Sequence, residues 1–136
     1  MTAPSMSKAE AETLLRHVHL ELARDRDHPS GSPRHRYEFI APLDKGGHIL
    51  AEAWKLTRER CRVKRVAGDE PAEVGHLVHK PGGAWAFHYD IHGDPAHDET
   101  GYRFDQHTFK PGEYVSIKEQ DGALRTFIVK GVVDLD

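Results

Sequence analysis

The run His88-Tyr89-Asp90-Ile91-His92 holds the residue types that bind transition metals, at a spacing that gathers them on one side of a β-strand. Successive strand side chains point to opposite faces, so His88, Asp90 and His92 share one face while Trp85, Phe87, Tyr89 and Ile91 share the other. Two histidines and a carboxylate are the ligand set of non-haem iron sites, and such mixed sets also hold catalytic zinc. Same-face neighbours are roughly 6.6 Å apart along a strand. Two of the three therefore reach one ion at about 2.1 Å, and a straight strand leaves the third out. The other ligands must come from elsewhere. His17 and His19, in the stripe His17-Val18-His19-Leu20-Glu21, and His107 are the candidates, and a divalent ion, Zn or Fe, is the cofactor such a set would take, the sequence itself fixing no cofactor. With 11 histidines in 136 residues, about one pair at each of the spacings i+2, i+3 and i+4 arises from composition alone. His17/His19, His76/His79 and His88/His92 are those pairs. Spacing discriminates weakly, and the segregation of His88, Asp90 and His92 from an aromatic face is the stronger signal.

A second candidate is the basic stretch Arg58, Arg60, Arg62, Lys64 and Arg65, with Glu59 the one acid among them. It contrasts with Asp90 to Asp105, where Asp90, Asp94, Asp98, Glu99 and Asp105 face only Arg103. A basic ridge suits phosphate or an RNA backbone. Cations at a helix end are also favourable on their own account, and the stacking aromatics of nucleic-acid surfaces are not interleaved here. Opposed acidic and basic segments permit self-association into a homo-oligomer. Cys61, between Arg60 and Arg62, reads either as an activated thiol or as small apolar filling. Ser116 has no Gly-x-Ser-x-Gly elbow, and the glycine pairs match no phosphate-loop pattern.

These groups need a scaffold. Ser7-Lys8-Ala9-Glu10 is a capping-box pattern that opens a short helix over Ala9 to Arg16. Val18, Leu20 and Leu22 then alternate with His17, His19 and Glu21 as a half-buried strand over 17–23. Residues 25–34 read as a polar loop and Tyr37 to Ala41 as a strand stopped by Pro42. Ile49, Leu50, Ala53, Trp54 and Leu56 recur at helical spacing, which predicts the main helix over His48 to Arg60. From there the period is two. Strands are expected around Val63 to Gly68, Gly75 to Lys80 and Ala84 to Ile91, then an acidic loop over Asp94 to Thr100. Further strands follow at Tyr102 to Phe109, Tyr114 to Glu119 and Leu124 to Val133, with Asp121-Gly122 as a hairpin turn. The expected fold is a single α+β domain over 1–136, with residues 1–7 as a flexible N-terminus. Its centre is a strongly twisted antiparallel sheet, curling toward a small partly closed barrel, against one main helix and a short N-terminal one. Trp54, Trp85, Phe87, Tyr89, Phe104 and Phe127 form its expected core.

Nineteen Lys plus Arg against 22 Asp plus Glu, a formal charge of −3, exclude a wholly basic nucleic-acid binder and an acidic tail protein. One cysteine precludes an intrachain disulfide and a multi-cysteine zinc site. With no signal-peptide pattern and no run near the roughly 20 apolar residues of a membrane span, the expectation is a soluble cytoplasmic protein without a membrane partner. The expected function is a small binding or accessory module using the His/Asp polar face, rather than an enzyme. A metal-dependent enzyme on that face is the first alternative, and a weak nucleic-acid or phosphate binder through 58–65 the second.

Overall fold

Val18, Leu20 and Leu22 are buried and His17, His19 and Glu21 half-exposed along β1 (Leu15–Leu22), the alternation the sequence predicts. In this computed structural model, which describes residues 6–24, 28–91 and 98–135, β1 opens a meander of eight antiparallel strands. The others are β2 (Ser32–Pro42), β3 (Arg62–Ala67), β4 (Glu73–His79), β5 (Trp85–Tyr89), β6 (Glu99–Tyr102), β7 (Tyr114–Lys118) and β8 (Leu124–Asp134). Each pairs with its chain neighbours, and β8 returns to pair with β1, so the sheet closes completely. At this seam His19 faces Gly131 and Leu20 faces Val129, which leaves Lys130 as a bulge in β8.

Among the described residues, two helices accompany the barrel. α1 (Lys8–Thr13) carries the expected capping box: the Glu10 amide donates to Ser7 Oγ at 3.0 Å and the Ser7 amide to Glu10 Oε1 at 3.3 Å. It stops short of Arg16 because Leu15 already belongs to β1. α2 (Ala51–Thr57) is followed by one 3-10 turn over Arg58–Arg60. The predicted start at His48 is overridden by tertiary pairing. Ile49 bridges Leu43, and the Leu50 amide donates to the Pro42 carbonyl at 3.0 Å. Trp54 of α2 covers one end of the barrel, donating from Nε1 to the Leu77 carbonyl at 2.9 Å and meeting the Trp85 ring edge-on at 5.5 Å.

The interior is filled by aromatic side chains, and all six expected core residues are buried. The predicted strand over Tyr102 to Phe109 is mostly turn instead. Phe104 and Phe109 are five residues apart and would face opposite ways in a strand, yet both are 1% exposed. The backbone turns at Arg103, φ 55°, to bring both rings inside. The same segment shifts β6 upstream, and Glu99, expected in an acidic loop, is a wholly buried strand residue. Ile91 is also displaced from its expected inward place: β5 ends at Tyr89, and Ile91 is 78% exposed. Residues 94–97 of the acidic loop, 25–27 of the polar loop and 1–5 of the expected flexible N-terminus lie outside the described residues. β2 begins inside the remainder of the polar loop, at Ser32.

Gly75 sets how tightly β4 and β5 approach. A Cβ there would lie 1.9 Å from the His88 carbonyl oxygen and 2.7 Å from Tyr89 Cα, both backbone atoms that cannot rotate aside. Gly75→Ala is expected to lower the unfolding free energy by about 1–3 kcal/mol or more, as overpacking does. Chemical denaturation checks it, and an unchanged midpoint would show that the strands separate freely. No helix among the described residues is long and apolar enough to cross a membrane.

Candidate functional site

At the end of the barrel opposite α2, the inward stripes run on past their last apolar residue. Two positions beyond Tyr37 on β2 lies His35; two beyond Val63 on β3 lies Arg65. Two beyond Ile117 on β7 lies Glu119, two before Phe127 on β8 lies Arg125, and two before Gly101 on β6 lies Glu99. Period-two alternation therefore aims five polar or charged groups at one mouth of the barrel. Extending the apolar stripes by one step would have found them in the sequence. The turn composition around Glu99 and the basic run around Arg65 hid two of them as surface charges.

Glu99 is the centre of the cluster. Tyr89 Oη donates to its Oε1 at 2.7 Å, the Gln120 amide to Oε2 at 3.0 Å, and Arg65 Nε lies 3.3 Å from Oε2. Tyr37 Oη is 2.7 Å from Glu99 Oε1 and also bonds Glu119 Oε2. Glu119 in turn faces His35 Nε2 at 2.8 Å, Arg125 Nη1 at 2.8 Å and Arg65 Nη2 at 3.5 Å. Both carboxylates are buried, at 0% and 3% exposure. The opposite shifts of the two acids follow from their partners. Burial pushes the Glu99 pKa up, and Arg65 with the two tyrosines offsets this only in part. Burial also acts on Glu119, but hydrogen bonds from His35 and Tyr37 and the charges of His35 and Arg65 outweigh it, leaving its pKa below the usual range. Burial, with the nearby carboxylates, holds the Tyr37 and Tyr89 hydroxyls far above the ordinary phenol range.

Over this floor opens a cleft of about 660 Å³ whose lining includes Arg34, His35, Arg65, Asp69, Asp121 and Arg125. His35 is set edge-on against Phe127 at 5.4 Å, and its Nε2 is turned to Glu119. Arg34 pairs with Asp69, and Arg125 Nη2 with Asp121 at 2.9 Å, which lowers the Asp121 pKa to about 2. The rim acids are solvated: the side chains of Asp69, Glu70 and Asp121 are 92%, 73% and 56% exposed.

The candidate metal ligands among the described residues do not converge on one point. His17 and His19 stand on β1 and His88 on β5; β1 pairs with β2 and β8 while β5 pairs with β4 and β6, so they lie on opposite walls. The segregation within β5 holds, with His88 and Asp90 more exposed than Trp85, Phe87 and Tyr89. His88 bonds Asp98 at 2.6 Å, Asp90 lies 3.2 Å from Arg62 and 3.6 Å from His76, and His17 is 3.9 Å from Glu38. The cross-strand partner of His88 is His76, which was not among the candidate ligands. His107 sits in the turn segment beyond β6, and His92 lies outside the described residues. No group of three or more His, Cys, Asp or Glu among the described residues is arranged to hold a metal ion.

The basic stretch is split as well. Arg58 stacks over Trp54 at 4.6 Å, Arg60 pairs with Glu12 at 2.9 Å, Arg62 and Lys64 face outward from β3, and Arg65 faces the interior. Its members share no single row because a 3-10 turn gives way to strand alternation within eight residues. Cys61 is buried filling; burial raises its thiol to about 11, far from a reactive thiolate. Compared with protein-family models, curated proteins and solved structures, the chain matches none.

Proposed function

We propose that the protein is a binding module whose ligand is a small anion held in the cleft at the polar mouth of the barrel. The observation that supports this is the presence of three arginines, Arg34, Arg65 and Arg125, together with His35 in the lining of one open cleft. Guanidinium groups bind carboxylate and phosphate oxygens in pairs. Their acidic partners here are of two kinds. Glu99 and Glu119 are buried and fixed, whereas Asp69, Glu70 and Asp121 are solvated, and exposed ion pairs contribute about 0–1 kcal/mol. An incoming anion displaces the solvated carboxylates at little cost and keeps the buried ones as a floor. The packed aromatic interior leaves the mouth, rather than the lumen, as the place for a ligand.

Thermal unfolding with inorganic phosphate or succinate, against chloride at matched ionic strength, tests this. A ligand at about ten times its Kd adds about 1.4 kcal/mol of stability, a measurable rise in Tm. The rise is expected with at least one anion up to about 50 mM, and Arg34→Ala is expected to diminish it. No rise with either ion sinks the reading.

A further inference from the structure

We propose that His35 is an acid-base group for a ligand in the cleft, oriented by Glu119 and coupled through Tyr37 to a proton held on Glu99. The inference rests on reading the cleft as an anion site and names its ligand class: an anion that also carries an ionisable proton.

The hydrogens around Tyr37 are one too few for its contacts. Tyr37 Oη has one, yet it lies within hydrogen-bonding distance of two carboxylate oxygens, Glu99 Oε1 and Glu119 Oε2. A phenol donates once, so one of these contacts needs a second hydrogen, carried by a carboxyl group. Arg65 Nε reaches Tyr37 Oη at 3.3 Å but places no hydrogen between the two oxygens. Tyr89 cannot serve either, because its single hydrogen is directed to Glu99 Oε1.

Placement of the extra proton follows from the surroundings. Glu119 is held ionised by His35, Arg125 and Arg65, while among the described residues Glu99 has only Arg65 as an ion-pair partner, and it has no exposure at all. The proton therefore belongs to Glu99, which donates to Tyr37, and Tyr37 donates to Glu119. Glu119 remains an anion and accepts from His35 Nε2, which fixes the tautomer and leaves Nδ1 with its lone pair. This is the arrangement of a histidine base backed by a carboxylate.

In the transfer itself, the ligand's acidic X–H bond breaks and an Nδ1–H bond forms. The electron pair stays on the ligand, whose new charge faces the cleft guanidinium groups, and Glu119 stabilises the imidazolium. The reverse step returns the proton. Charged groups sharing the cleft with His35 are Arg34, Arg65, Arg125, Asp69, Glu70 and Asp121, with His28 also on its lining.

Two spectra of the full chain, neither needing a ligand, test this apart from anion binding. Infrared spectroscopy at neutral pH is expected to show a protonated carboxyl group that is absent from Glu99→Gln and retained in the exposed control Glu113→Gln. Should Glu99→Gln not fold, Tyr37→Phe is expected to move the same band, since it removes the partner. Nitrogen-15 spectra at alkaline pH are expected to show His35 as the Nε2–H tautomer, and Tyr37→Phe is expected to shift the His35 ring-nitrogen resonances, because both groups bond the same Glu119 oxygen. Absence of the carboxyl band, the Nδ1–H tautomer, or unmoved ring-nitrogen resonances each overturns the proposal. A failure of phosphate and succinate to bind would remove the anion reading while these spectra still decided the hydrogen-bonded chain.

Discussion

Arg65→Met is expected to lower the unfolding free energy by about 3–5 kcal/mol, the cost of removing one partner from a buried ionic cluster. Arg65 is 13% exposed and lies 3.3 Å from Glu99 and 3.5 Å from Glu119, two acids from which water is excluded. Methionine keeps much of the volume, so the loss reports charge rather than packing. The deficit carries a pH signature. Without the guanidinium, the Glu99 pKa, already raised by burial, climbs further, and Glu119 loses one of the charges that hold its pKa below the ordinary value of about 4.3. A group raised in the folded state contributes fully below its unfolded pKa, and that contribution is lost as pH climbs through the folded one. The variant is therefore expected to be weakest relative to wild type at about pH 8 and to recover toward about pH 5. Urea denaturation at both values measures it. A deficit under about 1 kcal/mol that ignores pH would mean the cluster is effectively solvated.

Phe39→Ala is expected to cost about 3–5 kcal/mol, for a different reason. The Phe39 ring is wholly buried on β2 and meets Phe87 at 5.2 Å, Phe109 at 5.7 Å and Phe104 at 6.4 Å. It joins the barrel wall to the turn segment folded inside, so truncation leaves a cavity whose other sides are held by closed strands and cannot collapse. The amide of Phe109, which donates to the Gly47 carbonyl at 2.8 Å, is expected to lose protection from hydrogen exchange in the variant. Tyr114→Ala, on a side chain 57% exposed at the edge of β7, is the contrast and is expected to stay within about 0.5 kcal/mol of wild type.

Much of the scaffold is legible in the sequence. The alternation of Val18, Leu20 and Leu22 with histidines, the aromatic face of Trp85, Phe87 and Tyr89, and the Asp121-Gly122 hairpin all arise from local chemistry that the barrel then uses. Illegible were features set by distant partners. The start of α2 yields to the Leu43–Ile49 bridge, and the segment after Tyr102 turns because two rings must share one interior. Closure is likewise a property of β1 and β8 together, which no window of sequence contains. The cleft was hidden differently. Its residues look like ordinary surface charges until the inward stripes are followed one step past their apolar ends, and histidine abundance drew attention to the outer wall instead. Of the stretch 58–65, only Arg65 reaches the cleft.

Closure by β1 and β8 also shapes how the chain must fold. Every other strand pair joins neighbours in sequence, and local hairpins zip cheaply, but the seam unites residues 16–22 with residues 127–134. Loop-closure entropy makes that contact the most demanding one, so the seam belongs to a late stage of a slow folding reaction. Until it forms, two strand edges with unpaired amides and carbonyls are open to intermolecular pairing; afterwards the barrel has no edge to offer. Crowding and temperature during folding thus bear on the fate of this chain more than they bear on the finished barrel.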